Sequence, residues 1–434
     1  MGAAFRAATG QEPGVMTQAA PAPSLSPTRG RDMVYFDNAA TSWPKAPGVG
    51  PAIVEFLARD AANPGRSAHA MAQATHEMIA TLRERLAAMI GAEGPERLVL
   101  TAGCTDALNL AMHSYLGGLA HASHPQRRRL QGVRPRVVTT TLEHKAVRRP
   151  LADLVSQGLI EVDVVSCSES TGVLEAEKVL SRVDERTVLV AMTHVSNVAG
   201  TIQPVEEVGR ALRERFPQTL FLVDAAQSMG ALPLDVQAMG VDFLAFPGHK
   251  GLLGPTGIGG LYISPRAFSD AEGPAAMPTL RQGGTGGGTD TLEMPAVLPR
   301  RFEAGTPNTV GCAGLLGALD SAPADALARE RAVAERIMRW AAARQGVRVV
   351  GTTDLTLRTG VVLLTFEGVC SEEVARRLAC EHNVACRAGE HCAPDAHRAM
   401  GTHPDGGVRL APGPYTTDDE VDRLLTALEA VTAH

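Results

Sequence analysis

The sequence predicts an α/β fold with a large domain built on a mainly parallel β-sheet and a smaller α+β domain at the C-terminal end. Two patterns carry this prediction. Short runs rich in β-branched residues alternate with longer amphipathic stretches through the first part of the chain, and a glycine-rich segment at 282–289 interrupts them. At 434 residues the chain has room for two or three domains of ~150 residues each.

The large domain is predicted to contain seven strands, because alternation of strands and helices places parallel strands together with helices on both faces. The predicted strands are 97–101, 137–141, 160–165, 187–193, 219–224, 242–246 and 258–263. A helix is predicted over 69–90, where apolar residues recur every three or four positions. They are Met71, Ala74, Met78, Leu82, Leu86 and Met89.

Beyond the glycine-rich segment, the pattern predicts a helix over 322–344, strands near 360–366 and 407–410, and a last helix from about Thr417. We expect a large domain over 33–310, with 33–46 packing with the small domain, and a small domain over 311–434. Residues 1–32 are rich in Ala, Pro, Ser and Thr and are predicted to be a flexible extension. They lack the continuous apolar segment of a secretory signal.

Charge and cysteine content exclude several classes of function. The 41 Lys and Arg residues and 47 Asp and Glu residues give a net charge of −6, so no broad cationic surface is expected for nucleic acids. No window approaches 18 consecutive apolar residues, so no membrane span is predicted. The seven cysteines are scattered without paired CxxC spacing, which predicts no metal site and favours reduced thiols in the cytoplasm.

Lys250 is the first candidate for chemistry. It follows an apolar strand and lies among glycines, whose backbone can approach closely and desolvate the amine. Desolvation lowers the pKa of a lysine and makes the neutral amine available for a Schiff base. A surface lysine in a glycine-rich turn is the alternative, and this segment alone does not decide between them.

Two further strand ends carry candidate ligands for a cofactor. Asp224 ends an apolar strand, where it could keep a pyridine nitrogen protonated, although a helix cap or a magnesium ligand is the alternative. The junction at 101–106 places small residues and Thr105 at a predicted helix start, which suits a phosphate. Neither a Walker motif nor the dinucleotide pattern GxGxxG is present, so a nicotinamide enzyme loses its main support.

Ten short blocks occur along the chain in a specific order. They are DNAAT at 37–41, NPGR at 63–66, TAGCTDALN at 101–109, EHKA at 143–146, THVSN at 193–197 with GT at 200–201, DAAQ at 224–227, GHK at 248–250, FEAGTPN at 302–308, RAGEHC at 387–392, and Arg409 ahead of Tyr415. Together they resemble the pyridoxal-phosphate enzymes of the class V aminotransferase family, and within it the cysteine desulfurases of the SufS/NifS kind. The resemblance extends from Val34 to about Leu425.

This resemblance implies the fold type I architecture of aspartate aminotransferase, with pyridoxal 5'-phosphate as the cofactor. It implies that Lys250 holds the cofactor covalently and moves the substrate's Cα proton. It further implies that His144 stacks on the cofactor ring and that Asp224 pairs with the ring nitrogen. Asn197 and Gln227 would bond the phenolic oxygen of the ring.

The same resemblance implies the phosphate and substrate contacts. Cys104, Thr105 and His249 would bind the cofactor phosphate, and Thr285 would reach the phosphate of a partner subunit, which implies a homodimer with shared sites. Asn197 and Arg409 would bind the substrate. Arg409 would hold its carboxylate, a task that suits the two-pronged geometry of guanidinium.

Cys392 is the residue that would make the protein a desulfurase. By resemblance, its thiolate attacks the sulfur of L-cysteine, which leaves L-alanine and a persulfide on Cys392 for transfer to an acceptor protein. The segment 387–394 is expected to be a mobile loop that exposes the thiol. Cys386 is expected to be a strand residue, with a relay or disulfide role as the alternative.

Several positions depart from the pattern that the resemblance predicts. Pro247 replaces a Ser or Thr expected to bind the phosphate, and Glu390 replaces a residue that is often His. A carboxylate facing Cys392 would raise the pKa of its thiol. The stretch 410–416 also differs, and Asp106 replaces a more common Glu.

Other reactions on the same fold stay open at this point. They are a selenocysteine lyase, a C–S lyase or another class V enzyme acting on a cysteine-like amino acid. A sulfur carrier that no longer turns over is a further alternative, raised by Pro247 and Glu390.

Overall fold

The computed structural model describes residues 32–64, 69–121, 124–269, 276–286 and 291–432. The chain from Met33 onward forms one compact unit. The predicted N-terminal extension, apart from Asp32, and the end of the NPGR block fall outside the described residues. Among the helices that are described, none is both long and apolar enough to cross a bilayer.

After a two-residue strand β1 (Val34–Tyr35), the large region is built on a sheet of seven strands. They are β2 (Leu98–Thr101), β3 (Arg136–Thr140), β4 (Glu161–Val165), β5 (Thr187–Thr193), β6 (Leu220–Asp224), β7 (Phe243–Pro247) and β8 (Gly259–Ile263). Their order in the sheet is β2-β8-β7-β6-β5-β3-β4. Only β8 runs against the others, since it pairs antiparallel with both neighbours. All seven predicted strands are therefore confirmed, each within one residue at either end.

Strands β5 to β8 are buried along their whole length because helices cover both faces of the sheet. Alternate side chains of β5 enter different core clusters: Val190 and Met192 join one, and Leu189 and Ala191 join the other. This division is the two-sided burial that the continuous apolar runs predicted.

The helices of this region are α1 (Val49–Arg59), α2 (Ala70–Met89), α3 (Cys104–Gly118), α4 (Pro125–Leu130), α5 (Lys145–Ser156), α6 (Ala176–Leu180) and α7 (Val205–Arg215). Helix α2 confirms the helix predicted over 69–90, and its buried face coincides only in part with the apolar residues that predicted it. Met71 and Met89 are exposed, and Ala72, Thr75 and Ile79 are buried instead. Apolar residues occur all around this helix, so periodicity alone did not define the packed face.

The C-terminal part is α+β, as predicted. An antiparallel sheet has the order β12-β13-β10-β9, and β1 pairs in parallel with β11. The strands are β9 (Val347–Val350), β10 (Val362–Phe366), β11 (Val384–Ala385), β12 (Arg387–Gly389) and β13 (Gly407–Leu410). The helices are α8 (Thr309–Ser321), α9 (Ala326–Ala342), α10 (Ser371–His382), α11 (Pro394–Ala399) and α12 (Asp418–Thr432).

The carboxyl ends of the parallel strands converge at one edge of the large sheet. Thr193 at the end of β5 lies opposite Asp224 at the end of β6, and Asp224 lies opposite Ala245 of β7. Helix α3 begins three residues after β2 at the same edge. In open α/β sheets this edge is where ligands bind, so the topology brings the candidate residues together.

Candidate active site

A cavity of about 670 Å³ lies at this edge and is lined by residues from both the large sheet and the C-terminal part. It brings together ten of the eleven site residues predicted from sequence. They are Cys104, Thr105, His144, Asn197, Asp224, Gln227, His249, Lys250, Cys392 and Arg409. Thr285 is described but does not line this cavity, and its neighbour Gly284 accepts a hydrogen bond from the Gly305 amide.

Lys250 lies in the turn after β7, where glycines allow two backbone segments to come close. A Cβ on Gly251 would lie 2.5 Å from the carbonyl oxygen of Met229, so only glycine fits there. Burial lowers the pKa of the Lys250 ammonium, and the cations of Arg409 and Arg387 act in the same direction. The amine is thereby made available as a nucleophile.

Asp224 is a buried carboxylate with one occupied oxygen and one open oxygen. Its Oδ1 accepts hydrogen bonds from the Cys104 thiol at 3.3 Å and from the Ala226 amide at 2.8 Å. No described residue hydrogen-bonds to Oδ2. Because Asp224 lines the cavity, the open oxygen is suited to a cationic nitrogen of a bound ring.

A hydrogen bond at the start of α5 fixes the tautomer of His144. Its Nδ1 accepts a hydrogen bond from the Ala146 amide at 3.0 Å, so the neutral ring carries its proton on Nε2. Burial lowers the pKa of His144, which favours the neutral form. The cavity therefore contains an imidazole with a defined N–H donor.

The first turn of α3 is suited to an anion. Gly103 precedes it with φ +153° and ψ −179°, a conformation that few residues other than glycine adopt. The first helical hydrogen bond runs from Ala107 to Gly103, which leaves the amides of Cys104 and Thr105 without helical partners. Nearby in the same cavity, Nδ1 of His249 is buried and has no hydrogen-bond partner among the described residues.

Arg409 is almost completely buried at the C-terminal side of the cavity. Its Nη2 donates to Asp37 Oδ1 at 2.7 Å, and its Nη1 donates to the carbonyl of Asn197 at 3.0 Å. The buried Nε has no partner among the described residues. This guanidinium is oriented by two fixed acceptors and retains donor capacity for a third, which suits a substrate carboxylate.

Asn197 and Gln227 line the cavity, and each already bonds the backbone. Nδ2 of Asn197 donates to the carbonyl of His391 at 2.8 Å, and Nε2 of Gln227 donates to the carbonyl of Ala39 at 2.9 Å. Both amides therefore tie the cavity wall to neighbouring segments.

The irregular segment carrying Cys392 is shorter than the sequence predicted. Instead of a loop over 387–394, residues Arg387–Gly389 form β12 and Pro394 begins α11, which leaves four residues between them. A three-residue strand is too short to show alternation, so the pattern could not reveal it. The Lys145 amide holds the carbonyl of Cys392 at 2.9 Å.

The backbone of this turn is strained at the candidate nucleophile. His391 and Cys392 have φ values of +50° and +59°, in the left-handed region that glycine favours. Each such residue costs about 1–3 kcal/mol and persists only where its surroundings fix it. The Cys392 thiol is partly exposed and lines the cavity.

Glu390 is paired with a neighbouring histidine. Its Oε1 lies 2.7 Å from Nδ1 of His403, and this contact lowers the pKa of the Glu390 carboxyl. The carboxylate is therefore paired with a neighbouring ring.

Cys386 is a free thiol between two short strands, and burial raises its pKa to about 12.

Sequence reasoning missed three residues of this site. Arg387 and His391 line the cavity, and Asp37 orients Arg409. Arg387 and His391 belong to the RAGEHC block and Asp37 to the DNAAT block, so the motifs contained them without revealing their contacts.

Among the described residues, no group of three or more side chains could hold a metal ion.

Comparison with known proteins is consistent with this geometry. The family model for aminotransferase class-V matches residues 34–424. The chain belongs to the class V aminotransferase family. Two class V relatives are a probable cysteine desulfurase of Methanothermobacter thermautotrophicus, 33% identical over 92% of this chain and 95% of the relative, and a cysteine desulfurase of Cronobacter sakazakii, 32% identical over 92% and 93%.

Solved structures of cysteine desulfurases are similar to this chain in fold. The apo structure of cysteine desulfurase from Thermococcus onnurineus matches with a TM-score of 0.80 and 30% identity, over 92% of this chain and 94% of that chain. The cysteine desulfurase CsdA from Escherichia coli matches with a TM-score of 0.78 and 27% identity, over 93% and 96%. These matches agree with the predicted fold type I architecture.

Class V enzymes use pyridoxal phosphate, and the residues of this cavity fit that cofactor. The buried amine of Lys250 suits its aldehyde, and the open oxygen of Asp224 suits its ring nitrogen. The free amides at the start of α3 and the unpartnered Nδ1 of His249 suit its phosphate.

Proposed function

We propose that this chain is a pyridoxal-phosphate-dependent cysteine desulfurase, which converts L-cysteine to L-alanine and retains the sulfur as a persulfide on Cys392. One observation carries the proposal: a lysine whose pKa is lowered by desolvation and a partly exposed cysteine line the same cavity. A lysine alone would suit many reactions of this cofactor. The thiol adds a nucleophile that can accept sulfur.

In this proposal, Lys250, Asp224 and His249 would hold the cofactor together with the first turn of α3, and His144 would stack on its ring. The bound cofactor supplies an electron sink for the bonds of the substrate's Cα. Arg409 binds the substrate carboxylate. Lys250, as a neutral amine, takes the proton from Cα and later returns one.

Sulfur transfer then belongs to Cys392. Its thiolate attacks the sulfur of the substrate, so an S–S bond forms as the substrate's C–S bond breaks. The electron pair of the broken bond stays with the Cβ carbon, which takes a proton and becomes the methyl group of alanine. His144, with a proton on Nε2, is a donor placed in the same cavity.

Three further properties belong to this proposal. We assign the protein a homodimeric state in which Thr285 reaches the partner's site, as the class V resemblance implies. A sulfur-acceptor protein would receive the persulfide. A cytoplasmic location is supported by seven free cysteines, which suit a reducing compartment.

The decisive experiment treats the purified protein with pyridoxal phosphate and then with L-cysteine. Alanine should appear, and mass spectrometry should find one added sulfur on Cys392. Lys250→Ala should lose the absorption band of the bound cofactor, whereas Cys392→Ser should keep the band and lose alanine production.

Undiminished alanine production by Cys392→Ser would contradict a desulfurase and favour a C–S lyase. Alanine production from selenocysteine but not from cysteine would favour a selenocysteine lyase. A persulfide without repeated turnover would identify a sulfur carrier.

A further inference from the structure

Two buried histidines lie at the Cys392 turn. His391 is part of the turn, and His397 lies in α11. The rings of His391 and His397 are stacked at an angle of 25°, with centroids 5.5 Å apart. Nδ1 of His391 is 3.3 Å from Nε2 of His397, and Nε2 of His391 is 3.2 Å from the carbonyl of Arg387. At the other end, Nδ1 of His397 is 2.7 Å from the hydroxyl of Thr402.

The direction of each of these three hydrogen bonds follows from the acceptor at one end, the Arg387 carbonyl. The Arg387 carbonyl can only accept, so Nε2 of His391 donates to it. In a neutral ring, Nδ1 of His391 is then the acceptor, and Nε2 of His397 donates to it. Nδ1 of His397 in turn accepts the hydroxyl proton of Thr402.

The surroundings of both rings favour this neutral arrangement. His391 faces the guanidinium groups of Arg409 and Arg387, and burial together with these cations lowers its pKa to about 3. His397 faces Glu390 and His403, and burial lowers its pKa to about 4. A proton added to Nδ1 of His391 would place two N–H groups against each other at the 3.3 Å contact.

We propose that the chain Thr402–His397–His391, which we name the histidine relay, is a positioning device that holds the Cys392 turn in its strained conformation. The relay fixes the His391 side chain, and Asn197 fixes the His391 carbonyl. His391 and Cys392 both have positive φ, so they need such restraint. The inference rests on the proposed function, because it assigns the relay to the residue proposed to take the sulfur.

The sharpest test is Thr402→Val, which keeps the shape of the buried side chain and removes the hydroxyl that donates to Nδ1 of His397, so that this buried nitrogen loses its partner. Thr402→Ser restores the hydroxyl. Thr219→Val is the matched control, because this buried threonine also donates its hydroxyl, at 2.9 Å, to the carbonyl of Thr187 far from the turn.

Three quantities are measured on the cofactor-loaded protein: alkylation of Cys392 by iodoacetamide, persulfide formation from cysteine, and the absorption of the bound cofactor. In Thr402→Val, persulfide formation should fall by about tenfold, since small displacements of a reacting group are costly. Alkylation should rise by about threefold as the turn opens. KM and the absorption should stay within about twofold, because the substituted residue, Thr402, does not line the cavity.

Recovery by Thr402→Ser and wild-type behaviour of Thr219→Val complete the expected result. Unchanged alkylation and persulfide formation in folded Thr402→Val would overturn the inference. Equal losses in Thr402→Val and Thr402→Ser would also overturn it, since the hydroxyl would not be the cause.

A second pair covers the case in which Thr402→Val does not fold. His397→Gln keeps a donor and an acceptor, whereas His397→Met offers neither, so only His397→Met should change Cys392 alkylation. Alkylation needs no turnover. If no alanine is formed by the wild-type protein, the proposed function fails while the alkylation result still decides the role of the relay.

Discussion

Pro247 is the residue at which this chain departs most clearly from the expected phosphate site. It ends β7, lies opposite Gly259 of β8, is buried and lines the cavity next to His249 and Lys250. The resemblance places a hydroxyl residue at this position. Proline offers neither a hydroxyl nor an N–H, so a phosphate bound here would lack the charge-assisted hydrogen bond that the resemblance implies.

Replacing Pro247 with serine should therefore slow the loss of cofactor. A hydrogen bond to a charged group is worth about 1.5–3 kcal/mol, and 1.4 kcal/mol corresponds to about tenfold in dissociation. The measurement is the decay of cofactor absorption during dialysis after repeated turnover. Pro247→Ala restores the N–H without the hydroxyl and is the control. Equal retention by the serine and alanine variants would place the phosphate away from this side chain.

At the residue scale, motif blocks predicted the members of the site better than their contacts. Asp37 and Arg409 form a 2.7 Å ion pair across 372 positions, and no local pattern links them. The thiol of Cys104 likewise bonds Asp224, 120 positions away. Local sequence identifies a side chain's chemistry, whereas these pairings arise only when distant elements pack.

At the scale of elements, Arg358 connects the C-terminal part to the segment that carries Asn197. Its guanidinium is fully buried and donates to the carbonyls of Ala199, Val361 and Thr352, at 3.1, 2.5 and 2.6 Å. Burial lowers its pKa to about 10. This cation is surrounded by backbone dipoles, so its bonds fix the loop that precedes β10 against the loop that follows β5.

Arg358→Met should destabilise the protein strongly, because two buried carbonyls and one partly buried carbonyl would lose their donor. The free energy of unfolding should fall by about 3–5 kcal/mol. Chemical denaturation of the cofactor-free protein measures it. Arg348→Met on the exposed side of β9 is the control and should change stability by less than about 0.5 kcal/mol. A wild-type denaturation midpoint for Arg358→Met would mean that water replaces the lost donor.

Predictability of the elements depended on their length and burial. Long apolar runs such as β5 were located within one residue, because a fully buried parallel strand has a distinctive composition. The two- and three-residue strands β11 and β12 have no such signature and were missed. Consequently the turn that presents Cys392 was predicted too long.

At the scale of the whole molecule, the cavity depends on both parts of the chain. Asp224 and Lys250 come from the edge of the seven-stranded sheet, while Arg387, Cys392 and Arg409 come from the C-terminal part. The proposed cofactor ligands and the proposed nucleophile therefore lie on different elements of one compact unit. The order of residues along the sequence does not show that both parts line one cavity. Their packing includes the pairing of β1 with β11 and the loop contacts made by Arg358.

Buried neutral histidines should limit the stability of the whole protein in acid. Burial lowers the pKa of His124 from 6.5 to about 4, and it acts similarly on four other rings. They are His194, His249, His391 and His397. Between these pH values the unfolded chain binds protons that the folded chain does not, so stability falls as pH decreases from about 6.5 to about 4.

His124→Asn isolates one contribution far from the cavity. Asparagine keeps an acceptor for the Gln126 amide at the start of α4 but cannot titrate. Between pH 6.5 and 4 the variant should lose less stability than wild type, by up to roughly 3 kcal/mol, since one pKa unit corresponds to about 1.4 kcal/mol. Thermal unfolding across this range measures the slope. His76→Asn, on the exposed face of α2, is the control for the loss of a histidine. A slope for His124→Asn equal to that of wild type would contradict the prediction, since His124 would then gain its proton in the folded state.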